Sequence, residues 1–348
     1  MKKIVLSLVL TLTTILTFAQ NTSASATNFA GSADMFYKYD FSEQQKQTTS
    51  TSFTNSHNSF ELGMASIEAS HKKGKASVFL DLGFGKRASE FTSNDAPTTF
   101  MIKQLNFTYE FSDKFKVIAG SFGTHIGYEL LDAVDNKNYS MSYAFTNGPF
   151  FNTGVKGQYT SGKFSVMIGI TDPTDFKSAL DAGSTQKTFI GQLGYIGETG
   201  NAFFNFTTGS SNLSSDKNKL QFDFEGSKKV TDKFSLGFNG TLARVTDDLN
   251  SNLDGEWFSL VGYASFAIKE TVTLAYRLEY FDDKKSLSTN EIGGNVLGNT
   301  LSLNYKVGNL TIIPELRYDS SSANSFLDNN GFGSKSNGFA LLATTYSF

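Results

Sequence analysis

"FSDKFKVIAG", Phe111–Gly120, joins a short polar turn to a strand whose side chains alternate at period two. The pattern returns as "TSGKFSVMIG" from Thr160 and "VTDKFSLGFNG" from Val230. Looser versions are "HKKGKASVFLDLG" from His71, "IGETGNAFFNFTTG" from Ile196, "AIKETVTLAYRLEYF" from Ala267 and "YKVGNLTIIPELRYD" from Tyr305. Seven tight turns therefore lie near residues 73, 113, 162, 199, 231, 270 and 308. A spacing close to 40 fits a propeller or a solenoid as well as a barrel. No WD or kelch signature is present, and the other half of each period decides. Between the tight turns lie long segments rich in Ser, Thr, Asn, Asp and Lys: 42–56, 85–99, 123–150, 172–186, 209–218, 246–256, 282–298 and 320–336. Short turns at one end of the strands and long loops at the other is the asymmetry of an outer-membrane barrel.

Cut this way, the chain gives strands at 32–41, 59–70, 75–84, 100–111, 115–122, 151–160, 164–171, 187–197, 202–208, 219–228, 234–245, 257–268, 272–281, 299–306, 310–319 and 337–348. Sixteen is an even number, and most strands approach the ~9–11 residues that a tilted strand needs to cross hydrocarbon. The fold expected is all-β: a closed, antiparallel, up-and-down transmembrane β-barrel of about sixteen strands. Fourteen and eighteen are the alternatives, because the sixth strand is weak and 140–150 could add to it. In the third strand Ala76, Val78, Leu80, Leu82 and Phe84 oppose Lys75, Ser77 and Asp81. In the thirteenth, Val272, Leu274, Tyr276, Leu278 and Tyr280 oppose Thr273, Arg277 and Glu279. A sandwich strand also alternates. Charges kept to one face of strand after strand favour a wet interior inside an apolar wall. Aromatics gather at strand ends, as belts at headgroup level do. Two positions resist the pattern: Pro314 removes a ladder donor within a strand, and Trp257–Phe258 leave the facing of the twelfth strand open.

The last strand, "FALLATTYSF" (Phe339–Phe348), runs to the terminal aromatic without a polar tail. In lipid an open sheet edge leaves backbone groups unsatisfied at several kcal/mol each, so the first strand must pair with the last. Both termini then fall on the short-turn side. Tyr346 and Phe348 resemble the signal that barrel-assembly machinery reads.

Composition agrees. There are 30 Lys and Arg against 33 Asp and Glu, which gives no basic stripe for nucleic acid. Aromatics make up 14%, with 34 Phe, and no Cys is available for a disulfide, a thiolate metal site or a nucleophile. The start, "MKKIVLSLVLTLTTILTFA", has Lys2 and Lys3 and then an apolar stretch too short for the ~20 residues of a helical span. It is read as a secretory signal peptide, residues 1–19, followed by a short polar segment at 20–31 and the barrel domain at 32–348.

The stretches "GSFGTHIGYE" (120–129), "NYSMS" (138–142), "GPFFNTGV" (148–155), "ADMFYKYDFSE" (33–43) and "HNSFELGMASIEASH" (57–71) resemble the OmpL-like β-barrel porins of the Bacteroidota. The resemblance implies an outer-membrane barrel with a pore, and supplies neither a substrate nor catalytic residues. Porins of this size often trimerise, so a homotrimer is one expectation.

Candidate residues follow from position. In sixteen-stranded porins the third long loop narrows the lumen. Here that loop is 123–150, with Glu129, Asp132, Asp135 and Lys137, and the alternative is a loop lying over the mouth. Lumen charges of both signs include Arg277, Glu279, Glu315 and Arg317, with Lys38, Lys103, Lys156, Arg244 and Asp223 among others. Such rings tune ion selectivity, or else pair across strands and stiffen the wall. An enzyme would have to use His57, His71 or His125, and none has a visible nucleophile partner. Asp248, Asn250, Asn252 and Asp254 alternate like calcium ligands. Leu253 stands where Gly is needed and Ser259 where Glu is, so no metal or cofactor is expected. The function expected is passive diffusion of small hydrophilic solutes or ions, in contact with outer-membrane lipid. A surface-binding or adhesive barrel is the main alternative, and a barrel hydrolase the lesser one.

Overall fold

The computed structural model describes residues 25–45, 47, 51–92, 101–178, 186–210, 217–288 and 291–348. The expected signal peptide, 1–19, lies outside the described residues. Sixteen strands form the wall: β1 Ser25–Asp40, β2 Ser59–Lys73, β3 Ala76–Phe84, β4 Ile102–Glu110, β5 Phe115–Gly123, β6 Phe151–Ser161, β7 Phe164–Thr171 and β8 Thr188–Ile196. They continue as β9 Gly200–Ser210, β10 Lys217–Lys229, β11 Phe234–Asp247, β12 Gly255–Lys269, β13 Val272–Asp283, β14 Gly294–Val307, β15 Leu310–Ser321 and β16 Ser336–Ser347. Each pairs antiparallel with the next, and β1 pairs with β16 from Ser32–Ser347 to Asp40–Phe339, which closes the ring. The short-turn and long-loop ends fall where the sequence predicts them. Residues 140–150 form no additional wall strand: Tyr143–Asn147 is a short helix, α2.

Exposure runs opposite to that of a water-soluble protein. On β13 the outward Leu278 is 43% exposed, while the inward Arg277 and Glu279 are 1% exposed. An apolar exterior over a fully paired backbone is what hydrocarbon requires. Trp257 faces inward, which resolves β12. Arg244 does not join the interior charges: it shares the outward face of β11 with Leu242, opposite Glu256 near the long-loop end.

Three local irregularities matter. β1 begins at Ser25, seven residues before the expected start, and its polar and small residues pair with β2 down to Lys73. Pro314 is tolerated because the β14–β15 register skips Ile313 and Pro314, while the β16 side pairs through without a break. At Lys103 the β3–β4 register jumps, a bulge that turns this lysine inward beside Gln104.

The closing seam extends past the strands. Gly31 N donates to the Phe348 carbonyl at 3.1 Å, and Phe348 N donates to the Gly31 carbonyl at 3.0 Å. The Phe348 ring lies over Gly31 where a Cβ would stand, so a larger residue there would have to push the ring aside.

Candidate functional site

The loop between β5 and β6 runs through the interior of the barrel and does not lie over its mouth. Its hydrogen bonds start next to β5 and reach across. His125 Nε2 meets the Phe206 carbonyl of β9 at 2.9 Å, and Gly127 N donates to Asp223 of β10 at 3.2 Å. Tyr128 stacks on Tyr263 of β12, ring centroids 4.3 Å apart, against the bare backbone of Gly237. Burial and the nearby acids Glu225 and Glu129 push the Tyr128 phenol up.

From Glu129 onward the loop is held by the inward charges of the wall. Arg277 donates to Glu129 and to the Ser140 carbonyl, both at 2.6 Å, and also to the Met141 carbonyl and the Thr300 hydroxyl. Glu129 in turn accepts from the backbone N and hydroxyl of Ser142, at 2.8 Å each. The two oxygens of Glu315 accept from Tyr139 N at 2.7 Å and Ser140 N at 3.1 Å. Those of Glu279 accept from Tyr143 N and Ala144 N, both at 2.9 Å. These are first-turn donors of α2, which have no partner within the helix, and a carboxylate also suits its positive end. The Ser142 side chain caps Phe145 N. Arg317, paired with Asp319 at 2.9 Å, donates to the Met141 carbonyl at 2.6 Å. The predicted lumen charges Arg277, Glu279, Glu315 and Arg317 are thus brought together, at 3% exposure or less, on the backbone of one loop segment. They do not line open water. Charge-assisted bonds to buried amides and carbonyls are about twice as strong as neutral ones, and each is costly to leave unmade.

Asp132 takes a second anchor. Both its oxygens bind Lys103 Nζ, at 2.7 and 2.9 Å, and Lys103 also pairs with Asp81 at 3.0 Å. The bulge in β4 makes this contact. Tyr139 OH donates to Asp34 of β1, beside the buried Arg87. Arg87 belongs to a short helix in the second long loop, α1 Lys86–Phe91. Asp135 and Lys137 are exposed on the short-turn side of the loop. Partial burial and the neighbouring Asp132 push the Asp135 carboxyl up, against the pull of Lys103. Asn304 donates to the Lys137 carbonyl at 2.9 Å, and Asn138 to Ser302 at 2.8 Å.

Apolar packing completes the hold. Tyr139 and Ala133 join Phe36, Ile313, Phe339, Leu341 and Ala343 in one cluster, and Tyr143 joins Trp257, Phe281, Val296 and Phe326 in another. The interior around the loop is divided into cavities of about 170, 290 and 360 Å³. The histidines are dispersed. His57 accepts from Asp40 N, and His71 bonds the Thr27 hydroxyl at exposed strand ends. Among the described residues no group of His, Asp or Glu is placed to hold a metal. Asn250 and Asp254 bond backbone amides of their own loop. Tyr346 and Phe348 lie exposed at the closing seam.

The family described as "Putative beta-barrel porin-2, OmpL-like" matches residues 26–348. No curated protein matches the chain significantly. Among solved structures, the anion-selective porin from Comamonas acidovorans aligns with TM-score 0.63 at 11% identity, covering 93% of this chain and 100% of that one. OmpT expressed in the outer membrane of Vibrio cholerae aligns with TM-score 0.60 at 11% identity, covering 94% and 99%. The outer-membrane channel DcaP of Acinetobacter baumannii aligns with TM-score 0.59 at 12% identity, covering 93% and 98%. At such identities the structures share the fold.

Proposed function

We propose, for a chain that belongs to the OmpL-like beta-barrel porin-2 family, a diffusion pathway for small hydrophilic solutes whose width is set by residues 123–150. The protein is a porin-like channel of the outer membrane, and the proposal concerns what passes and what limits it. A ring of sixteen strands is wide enough for an aqueous lumen, whereas eight would be filled by side chains. The observation that carries the reading is the loop crossing the interior, tied to Arg277, Glu279, Glu315 and Arg317. With those charges engaged, the loop and not the bare wall determines the free cross-section. Glu129 and Asp132 act as its anchors, and Asp135 and Lys137 are the loop charges left facing solute.

The remaining partners belong to the same proposal. Tyr346 and Phe348 serve as the signal for barrel assembly, residues 1–19 as a cleaved leader, and three copies as the functional unit. Mass measurement of the exported chain tests the leader, and crosslinking in the outer membrane tests the trimer. Planar-bilayer recording of the refolded protein tests the channel. Discrete current steps that grow with KCl concentration are expected, and an inert bilayer overturns the proposal. Solute uptake against surface adhesion in cells lacking the protein separates a pore from an adhesive barrel.

A further inference from the structure

The interior charges differ by depth. Those at the level of α2 are bonded to the loop, whereas two amines nearer the short turns have no carboxylate partner among the described residues. One is Lys137, the only lysine or arginine in 123–150, and the other is Lys306 of β14. Both line a single cavity of about 360 Å³. Their place on one lining is set by backbone anchors. Asn304 holds the Lys137 carbonyl at 2.9 Å, and Ser302 accepts from Asn138 at 2.8 Å. Ser302, Asn304 and Lys306 are successive inward positions of β14, because side chains alternate at period two. The loop amine is therefore anchored one inward step from the strand amine. Thr273 and Thr311 add hydroxyls to the lining, and the one acid there is Glu270, exposed on the β12–β13 turn.

We propose that this vestibule binds a small multivalent oxyanion, for which inorganic phosphate is the simplest representative. Two ammonium groups with neighbouring hydroxyl and amide donors match the several acceptor oxygens of such an ion. A cleft with low-dielectric walls concentrates the ion it favours. The volume falls within the ~300–1,000 Å³ of small-molecule sites, which leaves room for a sugar-sized body attached to the anion. The inference rests on the channel reading only in naming the class of solute carried; the binding itself stands apart.

Two measurements on the refolded full-length barrel keep these apart. In equilibrium dialysis with labelled phosphate, saturable binding is expected. It should weaken about tenfold or more in K137A/K306A, the scale of losing two hydrogen bonds from charged groups. K72Q/K229Q removes the same number of positive charges from the short-turn side and should leave binding unchanged. Absence of saturable binding, or equal weakening in both double variants, overturns the proposal. In planar bilayers, phosphate added on the short-turn side should block KCl current in the unmodified protein, and only at higher concentration in K137A/K306A. A protein that binds phosphate but carries no current refutes the channel reading and leaves the anion site standing.

Discussion

The wall of β13–β15 and the wall of β6–β8 stand across the ring from each other, and they treat the inner loop in opposite ways. The first carries Arg277, Glu279, Glu315, Arg317 and Asp319 among its inward charges, and these five bond the loop. The second carries a single charged side chain over three strands, Lys156. Its inward positions are otherwise small, amide or apolar: Gly154, Ser165, Met167, Gly169, Ile190 and Gln192. Gly169 leaves space for the stem of Lys156, whose amine lies 3.9 Å from the centre of the Phe122 ring. Among the described residues, no hydrogen bond from β6, β7 or β8 to 125–146 is found. The loop is fastened to strands around most of the ring, most densely at β13–β15, and this stretch is the gap in the fastening. The difference teaches that inward charge can decide where a segment is pinned, and that the route for solute follows from where it is not.

The largest break in this asymmetry is removal of the loop. Deleting 128–145 should raise single-channel conductance severalfold, because a sixteen-stranded lumen is otherwise an open channel. Unchanged conductance would mean that the loop does not limit flow. Next comes Glu279→Ala, which leaves Tyr143 N and Ala144 N buried without an acceptor and weakens docking by about 3 kcal/mol. Hydrogen exchange at 139–145 should accelerate strongly in that variant and stay at its original rate in Lys156→Gln. Equal acceleration in both would erase the contrast between the walls. Acid should loosen the loop more gently. Burial holds the His125 imidazole at about 4, against an ordinary value of 6.5, although its bond to the Phe206 carbonyl works the other way. As pH falls from 6.5 toward 4, a released loop takes up a proton that the docked loop refuses, so docking weakens, by about 1 kcal/mol at pH 5.5. Proteolysis within 123–150 should rise across that window, and a His125→Gln variant should respond less. The smallest effect is that of Lys156→Gln on selectivity, a shift of reversal potential by a few millivolts toward cations, measured in a KCl gradient.

The sequence exposes the wall far better than its contents. Period-two alternation and the asymmetry of turns locate sixteen strands, since both arise from local geometry and from the solvent on each face. Alternation also turns Arg277, Glu279, Glu315 and Arg317 inward. Most of their partners in the loop cannot be read this way, because they are the backbone amides and carbonyls of 139–144, which every residue possesses. Lys103 gains its role from a bulge, and a register jump has no signature in a strand as ordinary as "IKQLNFTYE". Arg244 shows the converse failure. Near the long loops the outward face leaves hydrocarbon, so charge no longer marks the inside. The early start of β1 is hidden in "SATNFAG", small and polar residues that become a strand only because β2 extends beside them.

The seam between β1 and β16 joins residues about three hundred positions apart, and Gly31 meets Phe348. A cylinder closed by pairing its first strand with its sixteenth cannot be completed before that sixteenth strand has been delivered. Fifteen strands must wait as an unsealed sheet with two raw margins, each able to recruit foreign strands. Those margins stay open until β16 arrives to cover both.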